Sequence, residues 1–338
     1  MATAHKAGNY VLAAEEARMR RVLGYVMGVG LALSSQAALA AWPNDKPIEL
    51  VVGFGPGGGT DVLARVLGRF IEKRLGAGAR IVVINKPGSG GELAATHVQN
   101  AKPDGYTLGM INVPGYTFLP MYRKTSYQPE RIRLLARVVD DPAMLVANRD
   151  SGKPLTLSAF VKEAKRAPDN LSVGHSGEGT TGHIGMLELG RLADVKFNSI
   201  PYKGMGEAKT ALMGGHVDYV MMTTGEGLEV AQPGGRLVGV ALWADRRASN
   251  QIPTAMEQGY RLLISSERGI GGPRALPDDI AQRLESAIEQ TLKDPAFLEA
   301  AKADAPVVAF LPGGEWEHRL LEFRERLKPL ISLINASN

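Results

Sequence analysis

The stretch VVGFGPGGGTD, Val51 to Asp61, joins an apolar run to an amphipathic one across five glycines and a proline. Upstream, Ile48 to Phe54 reads as a strand. Downstream, Leu63, Val66, Leu67, Phe70, Ile71 and Leu75 recur at helical spacing, and Gly76 is a suitable stop. A strand that ends in glycines and feeds a helix makes an anion site. The first N–H groups of the helix lack intrahelical partners. The helix dipole places about half a positive charge there, and glycine lets a ligand approach the backbone. Gly57, Gly58, Gly59 and Thr60 supply such amides, Thr60 adds a hydroxyl, and Asp61 falls in the first turn. There Asp61 either caps the helix or orients a ligand or a water.

Gly53, Gly55 and Gly58 spell G-x-G-x-x-G, so a nucleotide is the first alternative. A phosphate-binding P-loop is excluded, because no G-K-[ST] follows the glycines. A dinucleotide site wants an acid at the end of the next strand, Arg80 to Asn85, where this chain has Asn85 followed by Lys86. The N-terminus also argues against it. RMRR (Arg18 to Arg21), an apolar run from Val22 to Ser35, and QAALA ending in Ala38-x-Ala40 form a Sec-type export signal. The apolar run is too short and glycine-rich for a span of about 20 residues. Residues 1–40 are therefore expected to be a signal peptide, with translation starting at Met1 or Met19. An exported protein has no ready supply of ATP or NAD, and no cofactor is expected.

The strand and helix grammar continues. A second glycine turn, Lys86 to Glu92, opens another helix, and Pro103 to Ile111 is a turn and a strand. This β-α-β-α-β order predicts a parallel sheet with helices on both faces. Asp140 to Asp150 reads as a crossing into a second unit. There Leu171 to Leu192 repeats strand, glycine loop and helix, with Gly177 and Gly179 freeing the backbone and Ser176, Thr180 and Thr181 offering hydroxyls. The expected fold is α/β with two lobes and a cleft between them. Lobe 1 is residues 41–142 plus 262–338, and lobe 2 is residues 143–261. Facing loops, one per lobe, would clamp a ligand bearing two carboxylates.

Other chemistries find little support. The formal charge is +4 with no basic block and few aromatics, which disfavours nucleic acid. Without cysteine there is no disulfide or thiolate chemistry. His175 and His183 stand eight apart with only Glu178 between, and no zinc-binding H-E-x-x-H occurs, so no metal is expected. Neither HSGEG nor PGSGG is a nucleophile elbow. Lys203 in PYKGMG is a turn lysine suited to helping hold an anion. The expectation is a binding protein without catalysis. An enzyme using the same cleft is the rival.

Seven segments carry a family resemblance: WPNDKPIELVVGFGPGGGTDVLAR, NKPGSGGELAATHV, AKPDGYTL, GEGTTGH, IPYKGMGEAKTALMGGHVD, IPTAMEQGY and GGPRALPDDI. In this order and spacing, the chain resembles the Bug-type (TctC-like) solute-binding proteins of tripartite tricarboxylate transporters. The resemblance implies a monomeric periplasmic receptor of type II, periplasmic-binding-protein-like fold. It implies a dicarboxylate, tricarboxylate, acidic amino acid or aromatic acid as ligand, and permease subunits or a sensor kinase as partner. It also implies the site: Phe54, Gly57, Gly58, Gly59, Thr60 and Asp61 in the first loop, and Asn112 and Val113 after the third strand. From the second lobe come Ser176, Gly177, Thr180, Thr181 and His183, with Lys203, Gly204 and Thr223 beside them. The chain departs from the family pattern at three places. Gly55 replaces a common proline, Met222-Thr223-Thr224 replaces an acid and proline, and Glu267-Arg268 replaces an aromatic pair. Arg268 either contacts a ligand carboxylate bidentately or pairs with Glu267 or an aspartate at the surface.

Overall fold

The structure is a computed structural model that describes residues 42–76, 78–248, 251–301, 304 and 307–337. The expected signal peptide lies outside the described residues. The contact pattern separates Met1–Lys46 from a second unit, Pro47–Asn338, which holds the elements below.

The first sheet is built on β1 (Ile48–Val52), flanked in parallel by β2 (Ile81–Asn85) and β3 (Thr107–Val113). Helices α1 (Gly59–Leu75) and α2 (Glu92–Gln99) make the crossovers. α1 buries Leu63, Leu67 and Ile71, the apolar stripe visible in the sequence. The sheet is not purely parallel, which corrects the expectation. β9 (Ser265–Pro273) runs antiparallel to β3, β4 (Ile132–Asn148) antiparallel to β9, and β10 (Val308–Pro312) antiparallel to β4. β9, SSERGIGGP, carries no alternating apolar signal. Its glycines answer to close packing: a Cβ at Gly269 would collide with the Ala136 carbonyl and the Trp316 ring.

The crossing read at Asp140 to Asp150 is part of one strand of 17 residues rather than a connection. Ile132 to Pro142 pairs with β9. Ala143 to Asn148 then pairs with β7 (Tyr219–Thr223) and β8 (Leu237–Leu242) of a second sheet. Pro142, which can donate no ladder bond, falls where the strand changes sheets. The second sheet continues through β5 (Ser172–His175), parallel to both β7 and β6 (Asn198–Pro201). Its helices are α4 (Leu157–Arg166), α5 (Thr181–Ala193), α6 (Met205–Met213) and α7 (Thr224–Val230). α3 (Gly115–Tyr122) follows β3, and α8 (Asp278–Leu292), α9 (Pro295–Ala301) and α10 (Gly313–Ser337) complete the chain.

The result is a two-lobed α/β fold. Trp243, Phe160, Tyr219 and Trp316 are among its largest fully buried side chains. Full burial of one large apolar side chain contributes about 1.5–3 kcal/mol. Met221 and Met222 lie in this core as well.

Candidate functional site

The first loop ends β1 and starts α1. Gly57 adopts φ +79°, a left-handed turn that favours glycine. Its N–H donates to Asp61 Oδ2 at 2.9 Å. Gly58 is the N-cap and provides no side chain. Among the described residues, no acceptor lies within reach of the N–H groups of Gly59, Thr60 and Asp61. These are the first three donors of a 17-residue helix, and Gly55 to Gly59 are exposed. Of the four residues expected to supply amides, Gly59 and Thr60 keep theirs free. Gly57 gives its own to the loop, and Gly58 N sits 3.4 Å from Gly55 O.

Asp61 is the internal brace of this loop. Its carboxylate also accepts from Arg65 Nε (3.0 Å), Arg65 Nη2 (2.9 Å) and Asn85 Nδ2 (2.8 Å). Burial opposes its ionisation, but the Arg65, Gly57 and Asn85 hydrogen bonds outweigh that and hold its pKa below the ordinary value. Asn85 Nδ2 also donates to Phe54 O at 3.0 Å, which ties Phe54 to the same brace. Asn85 and Arg65 were missed by sequence reading. Arg65 stands four residues after Asp61, and that helical spacing was the available signal.

Gly53 has a different duty. A Cβ there would stand 2.8 Å from Gly91 Cα, so the first fingerprint glycine admits the second glycine turn. A narrow cavity behind the loop is lined by Gly53, Phe54, Gly91, Asn112, Tyr116 and Tyr127 among others. It includes Phe54 and Asn112 but none of Gly57 to Thr60.

The second loop ends β5 and starts α5. Gly177 has φ +115°. Thr180 Oγ1 donates to Gly177 O at 2.6 Å, and Gly179 N donates to His183 Nδ1 at 3.1 Å. His175 Nδ1 lies 3.0 Å from Gly177 O, and its Nε2 lies 3.0 Å from Ser199 Oγ. The two imidazoles stack with centroids 5.1 Å apart. Burial pulls His175 down to about 4, helped by the neighbouring His183, and burial alone brings His183 to about 4. Both rings are neutral at pH 7. Thr181 is buried as the first residue of α5, and Ser176 is half-buried. Tyr202 N donates to His175 O at 2.9 Å, which sets Lys203 and Gly204 beside this loop. Lys203 is exposed, and its backbone N–H donates to Glu207 Oε2 at 3.3 Å.

α3 joins the two groups. Val113 ends β3, and two residues on, a Cβ at Gly115 would stand 3.6 Å from Gly179 O of the second loop. Phe118 of α3 meets the His183 ring edge-on at 6.1 Å.

Beneath the first loop, Asn112 and Arg268 are register partners on β3 and β9. Asn112 Nδ2 donates to Thr60 Oγ1 at 2.9 Å. Arg268 is neither at the surface nor paired with Glu267. It is 7% exposed, and its Nη2 donates to Asp304 Oδ1 (2.8 Å) and Asp141 Oδ2 (3.3 Å). Its Nη1 lies 3.6 Å from where a Cβ on Gly59 would stand. Glu267 faces elsewhere, holding Trp316 Nε1 at 2.6 Å and Arg319 Nε at 2.7 Å. Thr223 hydrogen-bonds Asp141 and caps α7 with Glu226. Asp141 also accepts from Gly225 N at 2.9 Å. Burial pushes its pKa up to about 6 against the pull of Arg268, Gly225 and Thr223. No sequence pattern marked Asp141.

The model of the tripartite tricarboxylate transporter family receptor, TctC, matches residues 63–331. The Cupriavidus necator "UPF0065 protein in gbd 5'region" is 35% identical over 278 residues, 81% of this chain and 83% of that one. Protein BugT of Bordetella pertussis is 31% identical over 303 residues, 86% of this chain and 91% of its own. Among solved structures, MatC from Rhodopseudomonas palustris with bound malate aligns with a TM-score of 0.71 at 27% identity, covering 86% of this chain and 100% of that one. The chain belongs to the TctC, or Bug-type, family of tripartite tricarboxylate transporter receptors.

Proposed function

We propose that this protein is a periplasmic receptor, exported by its N-terminal signal, that holds a small organic carboxylate between its lobes for uptake. The observation that carries this reading is the set of three uncommitted N–H groups in the first turn of α1, which follows an exposed loop braced from within by Asp61. Such a site favours an anion before any side chain contributes. The solved relative carrying malate supports a carboxylate as that anion.

Residues 41–142 with 262–338 form one lobe in this reading, and 143–261 the other. The first loop and Asn112 hold the ligand from the first lobe; Ser176, Thr181 and the neighbouring Lys203 close on it from the second. Contacts made only in the closed form drive the hinge motion. The closed monomer is then presented to membrane permease subunits. The reading needs no covalent chemistry, and the two neutral histidines serve to shape their loop.

Thermal-shift measurement against a panel of carboxylates tests the proposal. One or more small acids should raise the melting point, and the same acid should be recovered intact after overnight incubation. A shift with a nucleotide and none with any acid overturns the receptor reading. Consumption of the acid replaces it with an enzyme.

A further inference from the structure

β4 passes from the first sheet to the second, and one carboxylate marks the passage. Up to Pro142 the strand pairs with β9, and from Ala143 it pairs with β7. Asp141, just before that proline, is 1% exposed. Its Oδ2 accepts from Arg268 Nη2 of β9 at 3.3 Å. Its Oδ1 accepts from Gly225 N of α7, on the side of the second sheet, at 2.9 Å. Thr224 Oγ1 of the same helix donates to Pro142 O at 2.8 Å. One side chain therefore ties the two lobes together where a rotation between them would bend β4. Arg268 extends the tie toward the first loop, since its Nη1 lies 3.6 Å from where a Cβ on Gly59 would stand.

The charges around Asp141 do not balance. From β9 it faces Arg268, whereas Glu267 turns away to Trp316 and Arg319. Asp304, in the segment before β10, shares Arg268 Nη2 at 2.8 Å. From α7 comes Glu226, whose Oε2 accepts from Thr223 N at 3.1 Å and whose charge disfavours ionisation of Asp141. β7 adds the uncharged Thr223. On β4 itself, Asp140 is held by Arg137 and Arg319. Among the described residues, then, three carboxylates gather about the single guanidinium of Arg268. A proton relieves that excess, and Asp141 is the most enclosed place for it. The proton also changes the bonding. Ionised, both oxygens of Asp141 accept, one from each side. Protonated, one oxygen becomes a donor and meets either Arg268 N–H or Gly225 N–H donor to donor, so one of the two ties opens.

We propose that Asp141 is a proton-operated latch on the hinge: ionised, it holds the lobes in the arrangement seen here, and protonated, it lets them close. The inference rests on the receptor reading above. Gly55 to Gly59 are exposed in this arrangement, so closure has still to cover the first loop. Closing then pulls against a carboxylate tied to both sides. A carboxylate that loses its cation holds a proton more tightly, so the closed form takes up a proton and lower pH favours it. Burial lifts the pKa of Asp141 to about 6, which puts the exchange near neutrality. Asp141 is a positioning residue in this scheme, acting through Arg268 and α7 rather than on the ligand.

Two measurements on the full chain test the proposal. The first is calorimetric titration with malate at pH 7.5 and 5.5, for wild type and Asp141→Asn. The asparagine keeps an acceptor for Gly225 N but turns its amide hydrogens toward Arg268, so it imitates the protonated latch at either pH. At pH 7.5 the variant should bind malate about fivefold tighter than wild type, the size of one hydrogen bond. At pH 5.5 the two should agree within twofold. Malate's own titration is common to both proteins and cancels in the ratio. The second measurement needs no ligand and no change at Asp141. The chain has no cysteine, so Met213→Cys on α6 and Gln290→Cys on α8, both exposed, each take one spin label. The distance distribution of the ligand-free protein should be narrow at pH 7.5 and should broaden or shift at pH 5.5. Equal affinities of the two proteins at pH 7.5 overturn the inference, as does an unchanged distance distribution between the two pH values. In those cases malate binding itself survives. If no carboxylate binds at either pH, the receptor reading has failed instead, and the label distances still decide whether Asp141 works the hinge.

Discussion

Asn85 stands at the end of β2 with its side-chain amide 2.8 Å from Asp61 Oδ1. In a dinucleotide site this position would carry an acid that reads a ribose. Here it donates to an acid that shapes the loop. Asp61→Ala removes the acceptor of Gly57 N–H, both Arg65 nitrogens and Asn85. The expected cost is about 2–3 kcal/mol, because the lost bonds are charge-assisted and partly buried. Urea unfolding measures it. Faster hydrogen exchange at the Gly57 amide would place the loss in the loop.

The two glycines that open the fingerprint should respond differently to substitution. Gly53→Ala puts a Cβ 2.8 Å from Gly91 Cα and 3.3 Å from Ala94 Cβ, so backbone must move. It should destabilise by about 1–3 kcal/mol. Gly55→Ala meets nothing within 4 Å. It should be neutral, or stabilise by up to about 1 kcal/mol by restricting the unfolded chain. Chemical denaturation of the two variants side by side checks the contrast.

Acid should weaken the second loop through its histidines. His175 and His183 have folded pKa values of about 4, below the ordinary 6.5. The unfolded chain therefore binds protons that the folded one refuses. Their stabilising contribution is complete above pH 6.5 and is lost as pH falls toward 4. For His175 the shift corresponds to about 3 kcal/mol at most. Stability measured from pH 7 to 4.5 should fall, and His175→Gln should flatten the slope while lowering stability at pH 7.

Asp141 works in the opposite direction. Its folded pKa, about 6, lies above the ordinary 3.8. The folded state holds its proton more tightly than the unfolded one. Its contribution is complete below about pH 4 and is lost as pH rises through 6. Asp141→Asn removes this dependence and keeps an acceptor for Gly225 N. The variant should gain on the wild type by up to about 3 kcal/mol as pH is raised from 4 to 7. Parallel unfolding curves at the two pH values would show it.

Much of the first lobe was legible. Ile48 to Phe54, the stripe on α1, and the turn before α2 follow local periodicity and glycine placement. The second glycine loop was legible for the same reason. The register of Asn112 against Arg268 was not, nor was the 17-residue strand β4. Asp140, Asp141 and Pro142 look like a loop when read in order. In the structure, the two acids are paired and the proline falls where the strand changes sheets, so the strand runs on.

By itself the sequence determined the repeated strand, glycine loop and helix, and with it the free amides at the start of α1. Those features need only neighbours within a few residues. Tertiary structure alone decided the antiparallel return of β9 and the burial of Arg268. The partners of that arginine, Asp304 and Asp141, are 36 and 127 residues away. A buried cation is tolerated only where opposite charge meets it, and local pattern does not record what the fold brings from that distance.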